Sequence, residues 1–318
     1  MTEAPLLLPA GRETESRFFY FLLGALGFFI IVSLVLGTQV ERANVSTPTR
    51  VVERAFPAVS LQAKSAFVYD LRTGKELYVK NADTRLPLAS LTKLMSALVA
   101  LDLSPSYGTV KITDDALTPY GDSGLKTGEK WTLKKLLDFS LLTSSNDGIH
   151  AIALSLAALD KSNVSPADLI QRFVTVMNAK ASELNLKNTY FWNETGLDES
   201  DYKGGAYGSA RDVSALMSYI ITHHPEMLEA TRSAEEVVTS LDHSAYLGHN
   251  TNSLINNIPG VLGSKTGFTD VAGGNLTFAF DPELGHPIVV TVLGSSAEGR
   301  FEDAQKLVNA TMRYINEQ

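Results

Sequence analysis

The sequence predicts an α/β domain of the α+β kind, an antiparallel sheet flanked by helices with a helical subdomain inserted within it. Three observations predict it. Strand-like runs lie near both ends of the domain, the stretch between them carries mostly helical spacing, and the final segment is an amphipathic helix.

The opening strands come from "SAFVYDLRTGKELYVKN", two extended runs around "LRTG", which is a hairpin signal. Pro87 stops the extended run. "SLTKLMSALVALD" then sets Leu91, Leu94, Met95 and Leu98 at helical spacing. From about Leu133 to His224 the pattern stays mostly helical, through "LKKLLDFSLLTS", "GIHAIALSLAALD", "PADLIQRFVTVMNAKASEL" and "SARDVSALMSYIITHH". Ser209 with Asp212 predicts a capping box for the last of these. After Gly260 the strand texture returns in "VLGSKTGF", "GNLTFAF" and "PIVVTVLGS", separated by Gly, Asp and Pro turns. "EDAQKLVNATMRYIN" closes the domain as a helix. No internal repeat interrupts this order.

The 318 residues are 44% hydrophobic and 19% charged, a balance that can bury a sizeable core. A net charge of −8 with no basic run excludes a nucleic-acid partner, because phosphate binding needs clustered Lys and Arg. There is no cysteine, which excludes disulfides, Cys-ligated zinc and thiol nucleophiles. The six histidines form no H-E-x-x-H, and His223-His224 and His243 with His249 read as surface or core histidines; no metal is expected.

From Phe18 to Val40 no residue is charged, and a run of about 20 apolar residues is long enough to cross a bilayer as a helix. Val35-Leu36-Gly37 offers only a poor cleavage site, so a retained anchor is expected rather than a cleaved signal. Arg12 and Arg17 precede the span, and Arg42, Arg50 and Arg54 follow it, so charge bias does not orient it. The expected organisation is a tail over 1–17, a transmembrane anchor over 18–40, a linker over 41–60 and a catalytic domain over 61–318.

Three motifs carry chemistry. In Ser90-Leu91-Thr92-Lys93, a serine opening a helix has a lysine one turn on along the same face. A hydroxyl is a poor nucleophile until a base takes its proton, which a desolvated neutral lysine can do. Ser144-Ser145-Asn146 lies between two helical runs and can present a hydroxyl and a carboxamide from a tight loop. Lys-Thr-Gly occurs twice, in "LKTGEKW" and "SKTGFTD". The second copy lies in strand-like sequence, where Lys265 and Thr266 can line a cleft and Gly267 permits close backbone approach. The first precedes a helix and reads as a turn, so Lys126 is expected to do no chemistry. "PGVLGSKT" fails as a phosphate-binding loop, because Ser264 and Pro259 stand where that loop needs glycine.

The ordered set S-x-x-K, S-x-N and K-T-G resembles the penicillin-binding and serine β-lactamase superfamily. "LPLASLTKLMSALVAL", "SSNDG", "MNAKASELNLKNTYFWNETGLD", "YGSARD" and "GSKTGFTDVAGGNL" narrow the resemblance to the low-molecular-mass D-alanyl-D-alanine carboxypeptidases, peptidase family S11. It covers roughly Leu61 to Tyr314. The resemblance implies a β-lactamase/D,D-peptidase-like fold and a tethered enzyme that trims the terminal D-Ala from peptidoglycan stem peptides outside the membrane, without metal or cofactor. β-Lactams would be its inhibitors, and the tail would be cytoplasmic. The rival expectations are a D,D-endopeptidase, a β-lactamase and an inactive wall-binding protein.

The same resemblance implies roles. Ser90 would be acylated, Lys93 would be its base, Ser144 would relay a proton to the leaving amine, and Asn146 would hold the substrate amide. Lys265 would keep Lys93 neutral by like-charge repulsion. The N–H groups of Ser90 and Phe268 would form the oxyanion hole. Arg300, in "SSAEGRFEDAQ", would meet the substrate carboxylate. Two departures stand out. No C-terminal β-rich domain and membrane-binding tail follow the last helix, so the N-terminal anchor is expected to tether. Glu183-Leu184-Asn185 echoes a class A β-lactamase loop, yet Glu183 is expected to be an exposed helix residue.

Overall fold

The computed structural model describes residues 20–21, 23–28, 30–32, 55–159 and 164–317. The chain divides into two units, Met1–Glu53 and Arg54–Gln318. In the first, every described residue is helical. Among the described residues no helix is long and apolar enough to cross a membrane. The expected tail, much of the expected anchor and residues 41–54 of the expected linker lie outside the described residues.

The second unit is built on five antiparallel strands: β1 (Ser65–Asp70), β2 (Lys75–Lys80), β3 (Val261–Thr269), β4 (Gly273–Phe280) and β5 (Ile288–Ser295). Their order is β3-β4-β5-β1-β2, so the two ends of the domain complete one sheet. Alternation along the strands serves two cores. Ala66, Val68, Leu276, Phe278, Val290 and Val292 pack with the closing helix, whereas Phe67, Ala279, Val289 and Leu293 face the inserted helices.

The inserted helices are α1 (Lys93–Leu103), α2 (Leu133–Thr143), α3 (Asn146–Ala157), α4 (Pro166–Glu183) and α5 (Ala210–His223), and α6 (Gly299–Asn316) closes the domain. Thr132, Ser145, Ser165 and Ser209 cap α2 to α5 by accepting backbone N–H groups. The expected box at Ser209 is half made. Its hydroxyl takes the Asp212 N–H, but the Asp212 carboxylate turns to the Asn188 N–H and the Thr189 hydroxyl.

Asp303 on α6 is fully buried and accepts the Gln62 and Ala63 N–H groups and the Ser295 hydroxyl, at 2.9, 2.7 and 2.9 Å. Phe56 packs on Tyr78 and Tyr314, so core packing reaches back into the expected linker. Periodicity also missed three small sheets. Leu86–Pro87 pairs with Ala206–Gly208, which pairs with Tyr190–Phe191. Thr109–Lys111 pairs with Lys130–Thr132, and Glu235–Thr239 with Ala245–His249. Most are too short to show a period of two.

Ser90 does not open an α-helix. It sits in a 3₁₀ turn, Ala89–Thr92, and α1 begins only at Lys93. Ala89 has φ +49°, outside helical space, and the Thr92 hydroxyl bonds its carbonyl at 2.7 Å. The turn is clamped from two sides. A Cβ on Gly267 would meet the Leu88 carbonyl oxygen at 2.9 Å and the Ser90 nitrogen at 3.1 Å. One on Gly196, where φ is +81°, would lie 1.9 Å from the Ala89 carbonyl oxygen.

Gly196→Ala should therefore lower unfolding stability in urea by about 2 kcal/mol or more, since left-handed strain alone costs about 1–3 kcal/mol. A variant as stable as wild type would show that the clamp is slack.

Candidate active site

Lys93 has no exposed surface. Its Nζ lies 2.8 Å from Ser90 Oγ, 2.7 Å from Asn146 Oδ1 and 2.8 Å from the Thr195 carbonyl oxygen. Asn146 Nδ2 in turn donates to the Tyr120 carbonyl at 2.7 Å. The carboxamide is thus held between Lys93 and main chain, where a substrate amide was expected.

Ser144 ends α2 in the left-handed region, φ +63°, and its hydroxyl meets Lys265 Nζ at 2.8 Å. Ser145 then caps α3, so the helix-to-helix turn itself brings Ser144 and Asn146 into the site. Lys265 is 1% exposed on β3 and also donates to the Thr266 carbonyl at 2.9 Å. Thr266 Oγ1 donates to Thr251 Oγ1 at 2.7 Å.

Burial pushes Lys93 down to about 7, against the pull of Glu194. Lys265 is also pushed well below the usual lysine range, by burial first and then by Lys93 and Arg300. The expected repulsion exists, but it bears on Lys265, and burial is what lowers Lys93. Desolvation disfavours an ammonium even when no like charge is near.

Beside Gly267, Phe268 is half exposed on a cavity of about 480 Å³ lined with Tyr120, Leu197, Asp198, Thr269 and Asp270. Arg300, in the first turn of α6, donates from Nη1 to the Gly267 carbonyl at 2.7 Å, and its guanidinium lies near the Phe268 and Phe301 rings. Its Nε is buried without a partner. Gly267 also serves packing, since the side where a Cβ would stand is occupied by Leu88 and Ser90 of the same chain.

Ser90, Lys93 and Asn146 therefore form one hydrogen-bonded group and Ser144 with Lys265 a second, joined by the Ser144–Asn146 turn and by the repulsion between the two lysines, with Thr266, Gly267, Phe268 and Arg300 alongside. An amine at contact distance from a serine hydroxyl, itself poised near neutrality, can take that proton. The other Lys-Thr-Gly lies in a turn where the Glu129 carboxylate accepts the Lys126 N–H and Gly128 has φ +94°. A short strand, Lys130–Thr132, follows before α2. Glu183 is an exposed residue at the end of α4 and bonds Lys180 at 3.0 Å. The carbonyls of Thr195 and Tyr120 went unforeseen, because a main-chain acceptor leaves no residue-type signal.

Residues 51–297 match the sequence profile of peptidase S11, D-alanyl-D-alanine carboxypeptidase. D-alanyl-D-alanine carboxypeptidase DacF of Bacillus subtilis is 33% identical over 78% of this chain and 61% of its own. A D-alanyl-D-alanine endopeptidase of Pseudomonas aeruginosa is 32% identical over 67% of this chain and 65% of its own. The chain thus spans less than two thirds of either relative. Among solved structures, the Streptomyces K15 DD-transpeptidase superposes with TM-score 0.72 at 26% identity, over 81% of this chain and 99% of that one. With the profile match covering well over half of its length, the chain belongs to the peptidase S11 family of D-alanyl-D-alanine carboxypeptidases.

Proposed function

We propose that this protein is a serine-type D-Ala-D-Ala carboxypeptidase that removes the terminal D-Ala from peptidoglycan stem peptides and binds β-lactams. The observation that carries this reading is Lys93 Nζ, buried and poised near neutrality, 2.8 Å from Ser90 Oγ. Ser90 Oγ attacks the penultimate D-Ala carbonyl while Lys93 takes its proton. The tetrahedral oxyanion is held by the N–H groups of Ser90 and Phe268. On collapse the C–N bond breaks, and Ser144, backed by Lys265, relays the proton taken by Lys93 to the departing D-Ala amine, which returns Lys93 to its free-amine form. Water then hydrolyses the ester, and Ser90 recovers its proton. Asn146 holds the amine of Lys93 in place, and Thr266 borders the bound peptide.

In this scheme Arg300 pairs with the free C-terminal carboxylate, and a guanidinium suits that task through charge-assisted bonds. Nη1 is taken by Gly267, which leaves the rest of the fork for substrate. We place the catalytic domain outside the cytoplasmic membrane, tethered by residues 18–40. Support comes from the uncharged run there and from the exposed, helical Phe21, Phe28 and Ile31.

Incubating the full chain with a β-lactam should give one adduct, on Ser90, and Ser90→Ala should abolish both adduct and D-Ala release. Because the base must be the free amine, acylation should plateau above about pH 7 and fall about tenfold per unit below it. An adduct on another serine, or a rate flat across that range, would contradict the assignment.

Arg300→Ala should lower cleavage of a peptide ending in D-Ala-D-Ala about tenfold to a hundredfold, the size of a charge-assisted contact. It should barely affect an amidated peptide. Identical carboxylate preference in mutant and wild type would remove Arg300 from the site and favour cutting of cross-links.

The tether predicts that the protein stays in the membrane pellet through a high-salt wash, as an inserted span does. Release of the intact chain into the supernatant would refute it.

A further inference from the structure

A hydrogen-bonded histidine–glutamate pair lies behind Lys93, and the scheme above leaves it unused. Glu194 is 3% exposed, and its Oε1 accepts from His150 Nδ1 at 2.6 Å. His150 stands one turn after Asn146 on α3, on the same face. Glu194 immediately precedes Thr195. Two of the three acceptors around Lys93 Nζ, Asn146 Oδ1 and the Thr195 carbonyl, are thus tied to each other through His150 and Glu194. The Glu194 carbonyl also takes the Ser96 hydroxyl of α1, one turn beyond Lys93.

A carboxylate near a buried lysine favours the ammonium form, which cannot act as a base. Glu194 pulls Lys93 in that direction. The imidazole N–H is placed to hold that negative charge. We propose that His150 is a positioning residue for Lys93: by binding the Glu194 carboxylate it braces two of the acceptors that seat the amine and keeps that charge from locking the lysine in its protonated state.

Other charged groups surround the pair. Asp147, next to Asn146 on α3, is buried; its carboxylate accepts the Ser123 N–H and is influenced by Asp122 and by His150. Lys265 couples to Lys93 across the site. From α4, the uncharged Met177 meets Ser96. The variants below substitute none of these groups; replacing His150 also removes its influence on Asp147, so Glu194→Gln, which keeps His150, and the double variant are what report on the pair.

The inference rests on Lys93 being the base for Ser90. The test measures β-lactam acylation of Ser90 in the full chain, followed by intact mass across pH. His150→Leu should move the acid limb up by about one unit, the lower end of what a nearby opposite charge does. Glu194→Gln should move it down, and the double variant should lose the upward shift. His150→Asn, which keeps an N–H near the Nδ1 position, should restore part of the wild-type profile. An acid limb unmoved in Glu194→Gln overturns the proposal even if His150→Leu fails to fold. So does an upward shift that persists in the double variant. Absence of acylation in wild type at every pH would instead overturn the serine-and-lysine reading, and this inference with it.

Discussion

The site depends on an amine that the fold has taken out of water. Every acceptor in contact with Lys93 Nζ is a neutral oxygen, from Ser90, Asn146 and Thr195. An ion in that position would carry several kcal/mol of desolvation penalty with no contact carboxylate to offset it. The neutral amine avoids that penalty. Folding therefore favours the free amine that the proposed base requires, and any change that lets water in would withdraw that bias.

Burial of this kind needs walls that do not yield. Here they are main chain. β3 presses against Leu88 and Ser90 where Gly267 has no side chain, and Gly196 lets its loop reach the Ala89 carbonyl. Asn275, fully buried on β4, spans the same junction: its Nδ2 donates to the Pro87 carbonyl and its Oδ1 accepts the Gly294 N–H. Sheet, turn and helical insert thus meet through backbone contacts, whose positions vary less than those of long side chains. A serine and a lysine three residues apart keep their 2.8 Å separation because three elements fix the turn that carries them.

Much of this was legible. The hairpin around "LRTG", the closing strands and the three motifs are local signals, and the second Lys-Thr-Gly lay on a strand as its neighbours implied. What escaped is of a different kind. The link between His150 and Glu194 joins residues 44 apart, and neither residue type announces a partner. The apolar spacing after Ser90 is helical and predicts a helix start there, whereas the turn that the fold makes, with Ala89 at positive φ, is packed against Gly196 and Gly267. Gly267 invites close backbone approach by its sequence, and the close approach that the fold makes there is to the chain's own Leu88 and Ser90. Local pattern reports elements, and contact across elements is left to the fold.

Ser144 shows how a backbone angle can restrict chemistry. Threonine carries the same hydroxyl and is the ordinary conservative replacement for serine. At φ +63° its extra methyl group would crowd the main chain, because β-branched residues tolerate the left-handed region poorly. Glycine and asparagine sit comfortably there, yet neither offers a hydroxyl to Lys265. The geometry that turns α2 into α3 thus narrows the residues able to serve that position to serine among the hydroxyl-bearing side chains, by conformation before any question of reactivity arises.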